Sequence, residues 1–287
     1  MKIGVFDSGY GGLTILSEIR RLLPEYDYIY LGDNARAPYG TRSFDVIYRY
    51  TLEAVRYLQS QDCHLIILAC NTASAKALRT IQQHDIDPTK DRVLGVIRPT
   101  VEAVPTLTHN GHIGILATQG TVDSQSYIIE LSKFLPLAPN AVYGERGQGK
   151  GASISQQPCP MWVPLIENGE KDSPAMDYFV KKHLSELLAK DPDIDTLLLA
   201  CTHYPLIADK IEKYLKNYTG DQKLCVVTQG ELVAHSLADY LHRHADIEAR
   251  ISRGGTCTYL TTESASKFAD SASLFLAEPI QAQHIDL

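Results

Sequence analysis

Short apolar runs recur along this chain. Each is followed by a polar or glycine-rich break and then by a stretch with helical spacing. IGVFD (3–7), DYIYLGD (27–33), LIILA (65–69), VLGVI (93–97), HIGILAT (112–118), TLLLA (196–200), LCVVT (224–228) and CTYLT (257–261) read as strands. Several are apolar without alternation, the pattern of strands buried on both faces. The spacing predicts helices from about Leu13 to Leu23, over 43–60, after residue 69, and over 172–190, 205–217, 231–243 and 263–276. This βα alternation implies an α/β fold with mainly parallel sheets covered on both sides. Residues 143–169 break the rhythm. They are rich in Gly, Gln, Ser and Pro, have no clear period, and are expected to form a long irregular loop of the kind that serves as a lid or binding loop.

Two of the runs carry the same continuation. Residues 65–78 read LIILACNTASAKAL and residues 196–211 read TLLLACTHYPLIADKI. Cys70 and Cys201 therefore fall at the carboxyl ends of strands, where open α/β sheets place their ligands. Each precedes a predicted helix, whose N-terminal dipole favours a thiolate. A cysteine after an apolar strand is most often a small core residue. The second copy, and the polar pairs Asn71-Thr72 and Thr202-His203, reverse that reading, because such pairs are costly to bury unless they bind something. Two thiols facing each other across a cleft can act as opposed bases. One removes a proton from a carbon and the other returns one to the opposite face. Cys63, Cys159, Cys225 and Cys257 lack such flanks and read as core or incidental surface.

The chain has 287 residues, enough for one large domain or two of ordinary size. With 44% apolar and 21% charged residues, it has the composition of a soluble globular protein with a sizeable core. A net charge of −7 disfavours a nucleic-acid or membrane-surface role. There is no apolar run of membrane-spanning length, and MKIGVFDSGYGG opens directly on a strand rather than a signal peptide. The expected location is cytoplasmic, and the six cysteines are expected to be thiols. Cys201 and His203 suggest a metal pair, but no third ligand stands at motif spacing. No lysine occupies a strand-end motif suited to a pyridoxal Schiff base, so neither metal nor cofactor is expected. Gly9-Tyr10-Gly11-Gly12 has Thr14 where a dinucleotide fingerprint needs its third glycine. Taken alone, Asp7 and Ser8 suit a tight strand-to-helix turn, Pro38-Tyr39-Gly40 a turn, Asp33 a helix cap or solvated acid, and Glu167 a surface charge.

Six segments in order, IGVFDSGYGGLT (3–14), YLGDNARAPYG (30–40), ACNTASA (69–75), GILATQGT (114–121), CPMWVPLIENG (159–169) and ACTHYPL (200–206), resemble the glutamate racemase family of the aspartate/glutamate racemase superfamily. The resemblance runs from Met1 to about residue 276. It implies two pseudo-symmetric α/β domains with the active site in the cleft between them. Residues 1–98 plus 209–287 would form one domain, and 99–208 the other. It implies that Cys70 and Cys201 are the catalytic acid/base pair, that Asp7 supports Cys70, and that His203 polarises Cys201. Ser8 and the backbone of Pro38, Tyr39 and Gly40 would bind substrate, as would Asn71, Thr72, Thr118, Thr121 and Thr202. Asp33 and Glu167 match acidic positions that line the family's site.

The resemblance further implies cofactor-free interconversion of L- and D-glutamate, supply of D-glutamate for bacterial peptidoglycan, and a homodimer. Aspartate-selective relatives carry a CTE pattern where this chain has CTHYP, which favours glutamate. The chain departs from the family at Arg98-Pro99-Thr100, where Pro-Gly is more usual, and in the distinctive segment 146–157. The competing readings are an aspartate or related racemase, a decarboxylase of the superfamily, and a non-catalytic amino-acid-binding protein. The decarboxylases usually keep only one of the two cysteines, and binding alone needs neither.

Overall fold

Strands that are apolar on both faces need cover on both faces, and the chain supplies it by returning through helices between parallel neighbours. The computed structural model describes residues 1–137, 151–219, 224–276 and 279–287. Its strands are β1 (Ile3–Asp7), β2 (Tyr28–Gly32), β3 (Leu65–Leu68), β4 (Arg92–Gly95), β5 (His112–Ala117), β6 (Ser153–Pro158), β7 (Thr196–Ala200), β8 (Cys225–Val227), β9 (Cys257–Thr261) and β10 (Ala282–His284). They form a six-stranded sheet, β10-β9-β2-β1-β3-β4, and a four-stranded sheet, β6-β5-β7-β8. Every pairing within them is parallel. The order β2-β1-β3-β4 is repeated as β6-β5-β7-β8, so the two sheets are pseudo-equivalent.

The two-residue alternation of a strand sends its side chains to two cores. Ile3, Val5, Leu65 and Ile67 pack with the helices Leu13–Leu22 and Gly230–Arg243. Phe6, Ile66 and Leu68 face the helix Phe44–Ser60. The second sheet divides likewise, with Leu197 and Leu199 on one side and Leu198 and Ala200 on the other.

Register sets what meets at the carboxyl ends. Phe6 pairs with Leu68, so Ser8 and Cys70 stand the same two steps beyond that pair. Ala117 pairs with Ala200, so Thr118 and Cys201 stand the same single step beyond theirs. Strand order reverses at β1/β3 and at β5/β7, the places where open α/β sheets form their crevices.

The structure corrects the reading of residues 143–169. The part at 143–150 lies outside the described residues. Beyond it, Ser153–Pro158 is the edge strand β6 and Trp162–Glu167 is a helix. The strand was hidden because it is polar, and its buried Ser153 and Gln157 are paired through their side chains. Ser153 Oγ donates to Asp191 at 2.9 Å, Gln157 Nε2 donates to Glu186 at 2.7 Å, and Lys190 Nζ donates to Gln157 Oε1 at 2.8 Å. These partners lie on or just after the helix Pro174–Lys190, so tertiary contacts supply what an apolar pattern usually signals.

A helix at Ile97–Leu107 was also missed, because it contains Pro99 and Pro105. Pro99 lies in the first turn, where no N–H is needed. The helix expected over 205–217 begins as a 3₁₀ turn, Tyr204–Ile207, and is α-helical over Ala208–Thr219. Cys201 therefore precedes a turn, not an α-helix. Of the strands in residues 209–287, expected to belong to the first domain, β9 and β10 join the first sheet but β8 pairs with β7 in the second.

Leu199 is fully buried at the centre of the second sheet, whereas Tyr178 is 59% exposed. Chemical unfolding followed by circular dichroism should show Leu199→Ala destabilising by about 2–5 kcal/mol. Tyr178→Ala should stay within about 0.5 kcal/mol. Equal effects would contradict this placement of the core.

Candidate active site

The carboxyl ends of the two sheets face one another across a cavity of about 90 Å³. Ser8, Pro38, Tyr39, Gly40, Cys70, Asn71, Thr72, Thr118, Glu167, Cys201, Thr202 and His203 line it. Asp7, Asp33 and Thr121 stand behind this lining and are buried. Both cysteines are nearly inaccessible, at 5% and 6% exposure.

Each thiol has its own set of neighbours. Cys70 caps the helix Asn71–Lys76, and its Sγ accepts from the Ala73 N–H at 3.5 Å. The thiol donates to Ser8 Oγ at 3.4 Å. Burial pushes its pKa up to about 12, with the nearby Asp7 charge adding to the rise and the Ser8 and Ala73 bonds opposing it. Asp7 itself accepts from the Gly9 N–H at 3.0 Å, while its Oδ1 has no partner among the described residues. Burial raises the Asp7 pKa, against the attraction of His203.

Cys201 lies 3.9 Å from His203 Nδ1, and His203 Nε2 lies 2.9 Å from Glu167 Oε1. Burial alone would lower the His203 pKa, but its hydrogen bonds to Cys201 and Glu167 prevail and carry it up to about 10. At neutral pH the ring is therefore an imidazolium, with one N–H toward the sulfur and one toward the carboxylate.

The hydroxyl groups cluster. Thr72 Oγ1 and Thr118 Oγ1 are 2.9 Å apart, and Thr118 and Thr121 Oγ1 are 3.1 Å apart. Thr72 belongs to the first half and the other two to the second, so the cluster bridges the cleft. The Gly120 N–H, which donates to Gly40 O at 2.7 Å, bridges it again. Asp33 does not face the cavity. It accepts from the Tyr39 hydroxyl, from Arg36 Nε at 2.7 Å and from Thr262 Oγ1 at 2.9 Å, and so braces the segment that carries Pro38-Tyr39-Gly40.

Sequence reasoning missed Cys159, which ends up in the cavity wall one step past β6. Its place in CPMWVPLIENG was visible, but the strand before it was not. The described residues contain one His/Asp group with metal-like spacing, His112, Asp191 and Asp193, and it lies at the amino end of β5, away from the cleft.

One buried cavity thus has a thiol on each wall and the hydroxyls of Ser8, Thr72, Thr118 and Thr202 around it. Residues 11–229 match the model of the Asp/Glu/hydantoin racemase family. A glutamate racemase of Ruegeria sp. is 38% identical over 290 residues, covering 98% of each chain. The glutamate racemase RacE1 of Bacillus anthracis superposes with a TM-score of 0.84 at 32% identity, over 100% of this chain and 97% of its own. The Francisella tularensis glutamate racemase, solved in complex with D-glutamate, gives 0.82 at 29% identity, over 99% and 97%. The chain belongs to the Asp/Glu/hydantoin racemase family, among its glutamate racemases, and is an isomerase.

Two outcomes are expected from this geometry. A Cβ on Gly11 would overlap Thr202 Oγ1 and the His203 ring. Gly11→Ala should therefore lower kcat/KM by about 10²-fold, the scale of a roughly 1 Å misplacement, in steady-state assays of a chain that still folds. Unchanged kinetics would show that the strand-end contact is slack.

The second outcome concerns pH. His203 holds its proton more tightly folded, at about 10, than at its ordinary value of 6.5. Its stabilising contribution is complete below about 6.5 and lost as pH rises through about 10. Urea unfolding between pH 7 and pH 10 should show stability falling more steeply in the wild type than in His203→Asn. Parallel slopes would exclude this linkage.

Proposed function

We propose that this enzyme interconverts L- and D-glutamate without a cofactor, using Cys70 and Cys201 as the two bases. The placement of the thiols carries the reading: one ends β3 of the first sheet and one ends β7 of the second, and both border the same cavity. The family and the D-glutamate bound by the Francisella enzyme support the choice of substrate.

The reaction follows from proton bookkeeping. In one direction the thiolate on one wall takes the α-proton, and the C–H pair stays on carbon as a carbanion. The thiol on the other wall delivers its proton to the opposite face and becomes the thiolate. The enzyme is left with the two protonation states exchanged, and exchange with solvent restores them. The reverse reaction uses the same groups in opposite roles. The high pKa of Cys70 makes its thiolate a strong base once formed. The His203 imidazolium stands where negative charge rests on Cys201, and Glu167 holds the ring in place. Ser8, Thr72, Thr118 and Thr202 offer hydroxyls to the substrate carboxylates, with Thr121 behind them. The backbone of Pro38-Tyr39-Gly40 offers a further anchor. Asp7 acts on Cys70 through its charge. The D-glutamate formed would serve bacterial peptidoglycan synthesis.

Circular-dichroism assays against glutamate, aspartate and other amino acids test the substrate, and turnover of aspartate in preference to glutamate would replace this reading. Cys70→Ala and Cys201→Ala should each abolish racemisation in both directions, by at least about 10²–10⁴-fold. Cys63→Ala, at the opposite end of β3 from Cys70, should cost little activity. In deuterated water the product should carry deuterium at the α-carbon. Near-normal turnover by either active-site variant, or product that keeps the substrate hydrogen, would refute the two-thiol mechanism.

A further inference from the structure

A closed ring of side-chain hydrogen bonds lies directly behind the cleft. Asn71 Nδ2 donates to Gln229 Oε1 at 2.6 Å. Gln229 Nε2 donates to the Tyr127 hydroxyl at 2.9 Å, and that hydroxyl donates to Asn71 Oδ1 at 2.7 Å. All three side chains are buried. Gln229 Nε2 also donates to Thr100 Oγ1 at 2.8 Å, while Thr100 Oγ1 gives its own hydrogen to Val96 O at 2.8 Å.

The surrounding hydrogen bonds favour one direction around this ring. Turning the Asn71 carboxamide over would set two carbonyl oxygens against each other and leave the tyrosine hydroxyl between two donors. Running the whole ring backwards would place Gln229 Oε1 against Thr100 and require Thr100 to withdraw its hydrogen from Val96 O. The Thr100–Val96 bond thus sets the orientation of Gln229, and Gln229 sets that of Asn71.

Asn71 is the residue after Cys70 and borders the cavity. The ring uses one of its two Nδ2 hydrogens, and the described residues offer no partner for the other. A buried N–H donor at the wall of an anion site suits a carboxylate oxygen and cannot accept from an ammonium group. We propose that Gln229 is a positioning residue. It holds the Asn71 carboxamide with its free N–H toward the substrate carboxylate, and so links Val96 and Thr100 through Gln229 to substrate binding. The proposal deepens the glutamate reading and rests on it.

Gln229→Met keeps the length of the side chain and removes both polar ends. Tyr127→Phe is the milder second variant, deleting one hydroxyl. Loss of one hydrogen bond to a charged group predicts a rise in KM of about 10- to 100-fold for Gln229→Met, for both L- and D-glutamate. The change in kcat should be below about threefold, since the lost contact serves bound substrate and transition state alike. Tyr127→Phe should shift KM in the same direction by less. Asn71→Ala combined with Gln229→Met should be no worse than Asn71→Ala alone, because the two act through one contact. Losses that multiply in the double variant, or a kcat that falls with KM unchanged, would overturn the proposal.

Side-chain amide NMR supplies a readout independent of turnover. The Asn71 NH₂ resonances, identified by their loss in Asn71→Ala, should exchange slowly with solvent in the wild type and faster in Gln229→Met. Unchanged exchange overturns the positioning role even if glutamate is the substrate. A wild-type enzyme inactive on glutamate would remove the substrate reading, and the amide exchange would still decide whether Gln229 orients Asn71.

Discussion

Burying polar groups between the carboxyl ends of two sheets is the constraint on which the rest of this molecule depends. Asp7, Asn71, Thr72, Thr121, Thr202, His203 and Gln229 are all nearly inaccessible there. An unpaired polar group in such a place costs roughly 1–3 kcal/mol, and a charged one more, so the surroundings are arranged to pair them. Thr14 Oγ1 crosses the seam to Thr202 O at 2.9 Å, and Ser126 Oγ reaches Ala75 O at 3.1 Å. Gly11 lets the first strand-end turn lie directly on Thr202 and His203. Both thiols are buried, and the charges beside them act through a medium that screens them weakly.

The two halves repeat a topology but not an electrostatic environment. Ser8 and Thr118 occupy equivalent steps beside Cys70 and Cys201, and Asp33 and Cys159 follow the equivalent strands β2 and β6. Around Cys70 the ionisable neighbour is an acid, Asp7, and burial together with that charge favours the neutral thiol. Around Cys201 it is a cation, His203, held by Glu167. The two thiols, alike in their place at the ends of equivalent strands, therefore stand in unequal surroundings. The ligand-free symmetry of the fold is broken by a handful of side chains.

Legibility in the sequence followed the source of each element's stability. β1, β3, β5 and β7 are buried on both faces by neighbouring helices, so they had to be apolar and were plain to see. The edge strand β6 carries Ser153, Ser155 and Gln157 inward, and the partners of Ser153 and Gln157 lie 38 and 29 positions later, so no local pattern marked it. The helix Ile97–Leu107 was obscured by Pro99 in its first turn and by Pro105 inside it. β8 sits in the second sheet because of its pairing with β7, a matter of long-range register that no segment encodes alone.

The sequence by itself determined the α/β class, the central strands and the duplicated strand-end cysteine with its polar flanks, because burial on both faces and a sharp polar break are local requirements written residue by residue. Through resemblance it also pointed to Asp7, Ser8, Glu167 and His203. Only the tertiary structure decided that Asp33 braces Tyr39 instead of facing the cavity, that Cys159 joins the wall, and that Glu167 pairs with His203. It alone brought Asn71, Tyr127 and Gln229 into one ring across 158 positions of chain. Such contacts arise where two halves meet, and a hydrogen bond between residues far apart leaves no periodic trace in either of the segments it joins.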